Sequence, residues 1–389
     1  MTVAPLKFTA CLLLLGNLFS DVCLAQSDAE RLLSDTLVDV SKNKMDTAWQ
    51  SLNHLLALHP NFRLAQLVKG DLMLAHAQPL STLGNARSSS PQDDLRAEAR
   101  QRLLDVTQPV DPKLVPDALL SVSPEVRYVL AADAARSRLY VFENQVQGWI
   151  RRADYYVTIG KLGTGKTKAG DKRSPVGWYT ITAHKPRSEL EELYGDGAYP
   201  LSYPNDWDRR EGRDGSGIWI HGVPRDTFSR PPKASDGCIV VSNEDLAGLA
   251  RFIAIGRTPV LIANTLKWVD PASLEHSRND FRNAMELWRQ DWESRDAERL
   301  LSHYSGRFQT GDQAYKEFAE TKRRVNAGKS WINVRLKNVS AVRYPGEDNL
   351  VMVSFDQDYK SSNLSDVSRK RQYWHQENGE WKILYETVL

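Results

Sequence analysis

"GIWIHGVPRDTFSRPPKASDGCIVVSNEDL", residues 217–246, holds the single thiol that lies beyond the first 25 residues of this 389-residue chain, Cys238. In "GIWIHG" the alternation puts Ile218 and Ile220 on one face and Trp219 and His221 on the other, as in a short strand. A loop follows, and Cys238 then opens a second apolar run. An imidazole ending one strand and a thiol starting the next are a base and a nucleophile: the imidazole takes the thiol proton and sulfur attacks a carbonyl. Gly237 allows substrate to approach the backbone, and N–H groups near Ser235 to Cys238 can stabilise an oxyanion. Asp236 is expected to point away, because its charge facing the sulfur would oppose thiolate formation. Ser235 fits an oxyanion or orienting donor and a plain loop serine equally well. Trp219 and Gly222, flanking the histidine, complete the candidate substrate surface. For Arg225, Arg230 and Lys233 a solvated basic loop is a better reading than a carboxylate site. Ser242 with Asp245 reads as a helix N-cap for "NEDLAGLARFI".

The other two cysteines, Cys11 and Cys23, lie in a segment with the layout of a secretory signal: Lys7, an apolar run over 8–19, and small residues at Cys23 and Ala25 before Gln26. Residues 1–25 are therefore expected to be cleaved, leaving an exported, soluble, periplasmic protein. Its one thiol cannot form an internal disulfide. An unpaired thiol in an oxidising compartment is either buried or used, and His221 favours use. A net charge of +2 gives no reason to expect nucleic acid or an anionic membrane surface as partner, and 41% hydrophobic residues support packed cores. No later stretch approaches a membrane span.

The period of the pattern changes twice along the chain. Residues 26–108 read as helical, with tetratricopeptide-like spacing broken at His59-Pro60, resuming at Phe62, and a further helix over 93–106. A single such pair cannot bury its face alone and should pack on the rest of the chain or on a partner. Residues 109–125, "PVDPKLVPDALLSVSP" with its neighbours, read as a proline-punctuated linker. From Val126 to about Asn264 short β-branched and aromatic runs mark a mainly-β domain. Within it, 185–216 carries seven glycines and prolines plus Tyr194, Tyr199, Tyr203 and Trp207, which fits a lid or binding loop. Residues 277–389 give a helix with Phe281, Met285, Trp288 and Trp292 on one face, then four strands, a separate α+β domain expected to fold independently.

"GKLGTGKT", residues 160–167, matches the phosphate-binding P-loop pattern at Gly160, Gly165, Lys166 and Thr167. That mechanism needs a helix to begin there, so that backbone N–H groups and the helix dipole hold phosphate. Gly170, Pro175 and Gly177 lie where the helix should be, so the match is read as accidental.

"HG", then "SDGC", with "GDKRSPVGWY" upstream, resembles the L,D-transpeptidase (YkuD) catalytic domain over about residues 126–264. The resemblance implies a β-rich fold and a cysteine nucleophile acting on the meso-diaminopimelate–D-alanine bond of peptidoglycan stem peptides. It makes Cys238 the nucleophile and His221 the base, with no metal or organic cofactor. In it a thioester forms, D-alanine leaves, and an amine (transpeptidase) or water (L,D-carboxypeptidase) resolves the intermediate. Family frequency favours the amine. A non-catalytic wall-binding scaffold is disfavoured by the intact His221/Cys238 pair. Most members carry arginine two residues after the cysteine, where this chain has Val240. The "SDGCIVVSNEDL" form resembles a subgroup that includes cell-shape enzymes trimming stem peptides, and some of that subgroup are L,D-carboxypeptidases. Residues 277–389, ending "GEWKILYE", resemble the NTF2-like (SnoaL-like) domain, which implies a binding or assembly role. Homodimerisation, or contact with a cell-wall protein, is expected to run through the helical or NTF2-like region.

Overall fold

The computed structural model describes residues 27–75, 83–84 and 90–389; the expected signal segment, 1–25, lies outside the described residues. Three helices open the chain, Asp28–Ser41, Met45–Leu58 and Arg63–Ala75, and a fourth, Ser90–Thr107, packs against the first and third. Ser27 caps the first by accepting from the N–H of Glu30, and Asn43, at positive φ, turns the chain into the second. Their apolar faces meet in a small core of Leu33, Ala48, Leu52, Leu55, Phe62 and Leu64. Phe228, from the loop between His221 and Cys238, completes it. The helical pair thus covers its face with the catalytic loop, as its sequence requires.

The middle of the chain forms a five-stranded sheet in the order Gly148–Tyr156, Arg138–Gln145, Tyr128–Asp133, Pro259–Ala263, Gly177–Thr180. Its alternation is apolar on both faces. Leu130, Ala132, Leu139, Val141, Val260 and Ile262 point into one core. Val129, Ala131, Tyr140, Phe142, Leu261 and Ala263 point into another. A sheet buried on both sides reads as near-continuous apolar runs, which is why "YVLAAD" and "PVLIA" show no polar phase. The first core is closed by a four-stranded sheet, ordered Ile239–Val240, Trp219–His221, Gly197–Pro200, Lys185–Pro186, and by the helix Asn243–Ala250.

The second core belongs jointly to the C-terminal unit. There the helix Leu274–Glu293 lays Phe281, Met285, Trp288 and Trp292 on a six-stranded curved sheet containing Ile332–Arg343, Leu350–Ser361, Leu364–Glu377 and Glu380–Val388. The apolar cluster of the C-terminal unit is continuous with one face of the five-stranded sheet. The 109–125 segment, expected as a linker, is packed. Val115, Leu119, Leu120 and Val122 are buried in that shared core, and Val115–Pro116 pairs with Trp268–Val269. The prolines set its path, while the apolar residues between them supply its burial.

The 185–216 segment divides in two. Residues 187–196 run across the catalytic sheet. The short helix Asp206–Arg210 and its surroundings are fastened to the C-terminal unit instead. Trp207 stacks on Tyr373 at 5.0 Å between ring centroids, Asn205 donates to the Tyr344 hydroxyl at 2.8 Å, and Arg371 pairs with Asp206 at 2.7 Å. Among the described residues no helix is long and apolar enough to cross a membrane.

Candidate active site

His221 ends its strand and Cys238 stands just before Ile239–Val240, the parallel neighbour of that strand; the register sets Ile239 opposite Ile220 and Val240 opposite His221. His221 and Cys238 thus lie on or beside neighbouring parallel strands. His221 is 3% exposed, and its Nδ1 lies 2.7 Å from the Gly222 carbonyl oxygen. A carbonyl can only accept, so Nδ1 carries the proton and Nε2 keeps the basic lone pair. Burial pushes the imidazole down to about 4, against the opposing pull of the Gly222 carbonyl. It is neutral at neutral pH, as a general base must be.

The half-buried Cys238 thiol donates to the Gly217 carbonyl at 3.3 Å and accepts from the Trp219 N–H. Burial pushes its pKa up, and that outweighs the Trp219 N–H and the positive charges of Arg230 and Lys166. The resting pair is a neutral thiol beside a neutral imidazole.

The turn before the nucleophile is built from serines. Ser235 Oγ accepts from the Gly237 N–H at 3.1 Å and donates to the Cys238 carbonyl at 2.7 Å. The first of these bonds commits the Gly237 N–H that the sequence had offered to an oxyanion. Ser174, fully buried, donates to the Gly237 carbonyl at 2.8 Å and accepts from the Gly160 N–H at 3.0 Å. Gly237 adopts φ +128, and a Cβ there would meet the Arg173 carbonyl at 2.8 Å. Asp236 points outward as expected and pairs with Lys161 at 3.1 Å.

The P-loop-like segment has no helix after it. Lys166 is buried against Asp171 at 2.9 Å. Burial would raise the Asp171 carboxyl, but hydrogen bonds from Lys166 and from the N–H groups of Thr167, Lys168 and Arg173 hold it at about 2. These residues brace the loop that carries Ser174, and no phosphate cradle forms.

Two contributors escaped the sequence reading. Asn243, first residue of its helix, accepts at Oδ1 from the N–H groups of Asp196 and Val223 and donates from Nδ2 to the Val223 carbonyl. It clamps the turn after His221, and a Cβ on Gly222 would lie 2.0 Å from its Oδ1. Tyr194 is the second. Its ring meets Trp219 at 4.8 Å and stands edge-on to His221 at 5.0 Å, covering the candidate pair from the 187–196 excursion. Asp196, just beyond it, pairs with Arg225 at 3.1 Å and Arg187 at 3.6 Å. Lys185 lies over the Trp219 ring at 5.8 Å. Among the described residues no group of three or more His, Cys, Asp or Glu side chains is placed to hold a metal ion.

A strand-borne imidazole of fixed tautomer beside a glycine-preceded thiol, in a mainly-β domain fused to an α+β domain, defines a cysteine-dependent acyl-transfer architecture. The L,D-transpeptidase catalytic domain (YkuD) model matches residues 127–262, and the Cds6 C-terminal NTF2-like domain model matches 280–387. The chain belongs to the YkuD family of cysteine-dependent L,D-transpeptidases and carboxypeptidases, whose members act on the peptides of the cell wall.

Among solved structures, Bd1075 of Bdellovibrio bacteriovorus is 30% identical, with a TM-score of 0.62, over 71% of this chain and 98% of its own. The helical cell shape determining protein Pgp2 of Campylobacter jejuni is 23% identical, with a TM-score of 0.59, over 69% and 95%, a likeness of fold. No curated protein sequence matches the chain.

Proposed function

We propose that this protein is a periplasmic L,D-carboxypeptidase that trims peptidoglycan stem peptides, with Cys238 as nucleophile and His221 as base. As the thiol sulfur attacks the diaminopimelate carbonyl, its proton passes to His221 Nε2. The C–S bond forms, the C–N bond breaks, and the imidazolium returns the proton to the departing D-alanine amine. Water then gives a proton to Nε2, its oxygen attacks the thioester, and sulfur leaves to recover the thiol. The Nδ1–Gly222 hydrogen bond supports this reading most directly, because it reserves Nε2 for both transfers.

Water as acceptor is supported by Tyr194, which covers His221 on a segment pinned by Asn243, Arg187 and Arg225. Such a cover admits water more readily than the amine of a second stem. The likeness to Pgp2, a helical cell shape determining protein, supports trimming as a means of setting cell shape. Transfer to an amine is the competing reading, and a muropeptide profile with and without the protein separates the two. Tripeptide stems accumulating without direct 3–3 cross-links are expected. New 3–3 cross-links would assign the amine acceptor.

A further inference from the structure

Among the basic groups around the thiol, almost all are committed. Lys166 pairs with Asp171, Lys161 with Asp236, and Arg225 and Arg187 with Asp196. Lys185 lies over Trp219 and Lys233 is exposed. Arg230 differs. It is half-buried, its charge is felt at the Cys238 sulfur, and its guanidinium makes one hydrogen bond, from Nη2 to the Leu193 carbonyl at 3.1 Å, on the segment that sets Tyr194 against His221. Among the described residues no carboxylate stands within ion-pair distance of it. Of the nearby acids, Asp236 is taken by Lys161 and Asp226 lies 3.9 Å from Arg63.

The position of Arg230 is imposed from several sides. Its own carbonyl accepts from the Tyr156 hydroxyl at 3.0 Å and from Thr158 Oγ1 at 3.1 Å. Thr158 exchanges backbone hydrogen bonds with Val240, two residues past the nucleophile. The neighbouring Ser229 donates to Glu98 at 2.5 Å, and Phe228 stacks on Phe62 at 4.4 Å, both on the N-terminal helices. Arg102, paired with Glu98 at 3.0 Å, lies over the Tyr156 ring at 4.0 Å. These contacts fix the backbone that carries Arg230, while its guanidinium is left without a carboxylate partner. A desolvated, unpaired cation is costly unless an anion arrives to meet it.

We infer that Arg230 binds the terminal carboxylate of the residue released from the stem, and that the N-terminal helices hold it in place for that purpose. The inference rests on the acyl-transfer reading of Cys238. In a stem cut one residue from its end, the free carboxylate lies one residue, within ~4 Å, from the scissile carbonyl. A cation adjacent to the thiol is therefore where that carboxylate must lie. Val240, 2% exposed and apolar, offers that carboxylate no charge, so the cation is supplied by the loop. Glu98 and Ser229 are positioning residues that act through Arg230.

The test compares alanine or alaninamide release from tetrapeptide stems with a free or an amidated C-terminus, using the full mature chain. Wild type should prefer the free acid by roughly 10- to 100-fold in kcat/KM, the range of a charge-assisted hydrogen bond. Arg230→Gln should lower activity on the free acid and reduce the preference to about one. Arg230→Lys should restore part of it, and Ser229→Ala should reduce it through KM more than kcat. An undiminished preference in Arg230→Gln, or a wild type indifferent to amidation, overturns the assignment. A protein in which Cys238 forms no acyl adduct with stem or carbapenem would instead defeat the acyl-transfer reading itself.

Discussion

At the scale of single residues, the site is a neutral pair, and this has consequences for pH. His221 is held at about 4 by burial, so acidification from pH 6.5 towards 4 protonates the unfolded chain but not the folded one. Stability is expected to fall across that window, with the sign opposite to that of a histidine gaining an acidic partner. The acid limb of the Cys238 acylation rate should lie near pH 4 rather than 6.5, with no loss of the neutral thiol until above its ordinary range. Carbapenem acylation followed by stopped-flow absorbance across pH 3.5–9 checks this; a limb at 6.5 would mean an exposed imidazole. Cys238→Ala and His221→Ala should each lower turnover by several orders of magnitude without loss of fold, measured as D-alanine release and by circular dichroism. The sequence made both positions legible, because alternation put His221 on a strand end and the thiol had no competitor. Ser174 was not legible: a serine in "DKRSP" shows no sign that its hydroxyl bridges Gly160 and Gly237 across 14 and 63 residues.

Among the elements, the strands were readable from apolar runs such as "YVLAAD", and the helix caps from Ser242 and Asp245, whose N–H the Ser242 hydroxyl caps at 3.0 Å. The fixing of the turn after His221 was not, since Asn243 looks like any first-turn helix residue until its amide meets Asp196 and Val223. Gly222→Ala sets a methyl 2.0 Å from Asn243 Oδ1, so the clamp must break. An activity loss of at least 10-fold is expected, with destabilisation of about 1–3 kcal/mol as for an overpacked site, measured by denaturant midpoint. A fully active Gly222→Ala would show that the clamp is dispensable. Tyr194 belongs to an irregular segment whose length marked it as functional, yet only the fold shows that its ring, rather than Tyr199 or Tyr203, reaches His221. Tyr194→Ala should raise amine transfer relative to hydrolysis when a stem-peptide acceptor is supplied, read as the ratio of dimer to tripeptide. An unchanged ratio would remove the cover as the determinant of acceptor choice.

For the whole molecule, the five-stranded sheet is a wall between two cores, and this decides what can be cut away. Deleting residues 271–389 removes Tyr344 and Tyr373 from Trp207 and opens the shared cluster that also holds Trp178 and Leu261, all three at most 7% exposed. The truncated chain is expected to aggregate or to melt at least 10 °C lower, since exposure of several large side chains costs about 1.5–3 kcal/mol each. A truncation with unchanged melting temperature would restore the independent-domain view that period changes in the sequence had suggested. Those changes mark where the type of element switches; they carry no information on whether a sheet has one buried face or two. The same limit hid the N-terminal helices' engagement with Phe228 and Ser229, which joins residues far apart in sequence.

The central claim is that Cys238 carries the stem peptide as a thioester. Intact-mass spectrometry of the mature protein, mixed with disaccharide tetrapeptide and quenched in acid, tests it most directly. One added mass equal to the substrate less alanine is expected, located at Cys238 by peptide mapping and absent from Cys238→Ala. Alanine release by Cys238→Ala at the wild-type rate, or turnover in which trapped adducts map to any other residue, would contradict it.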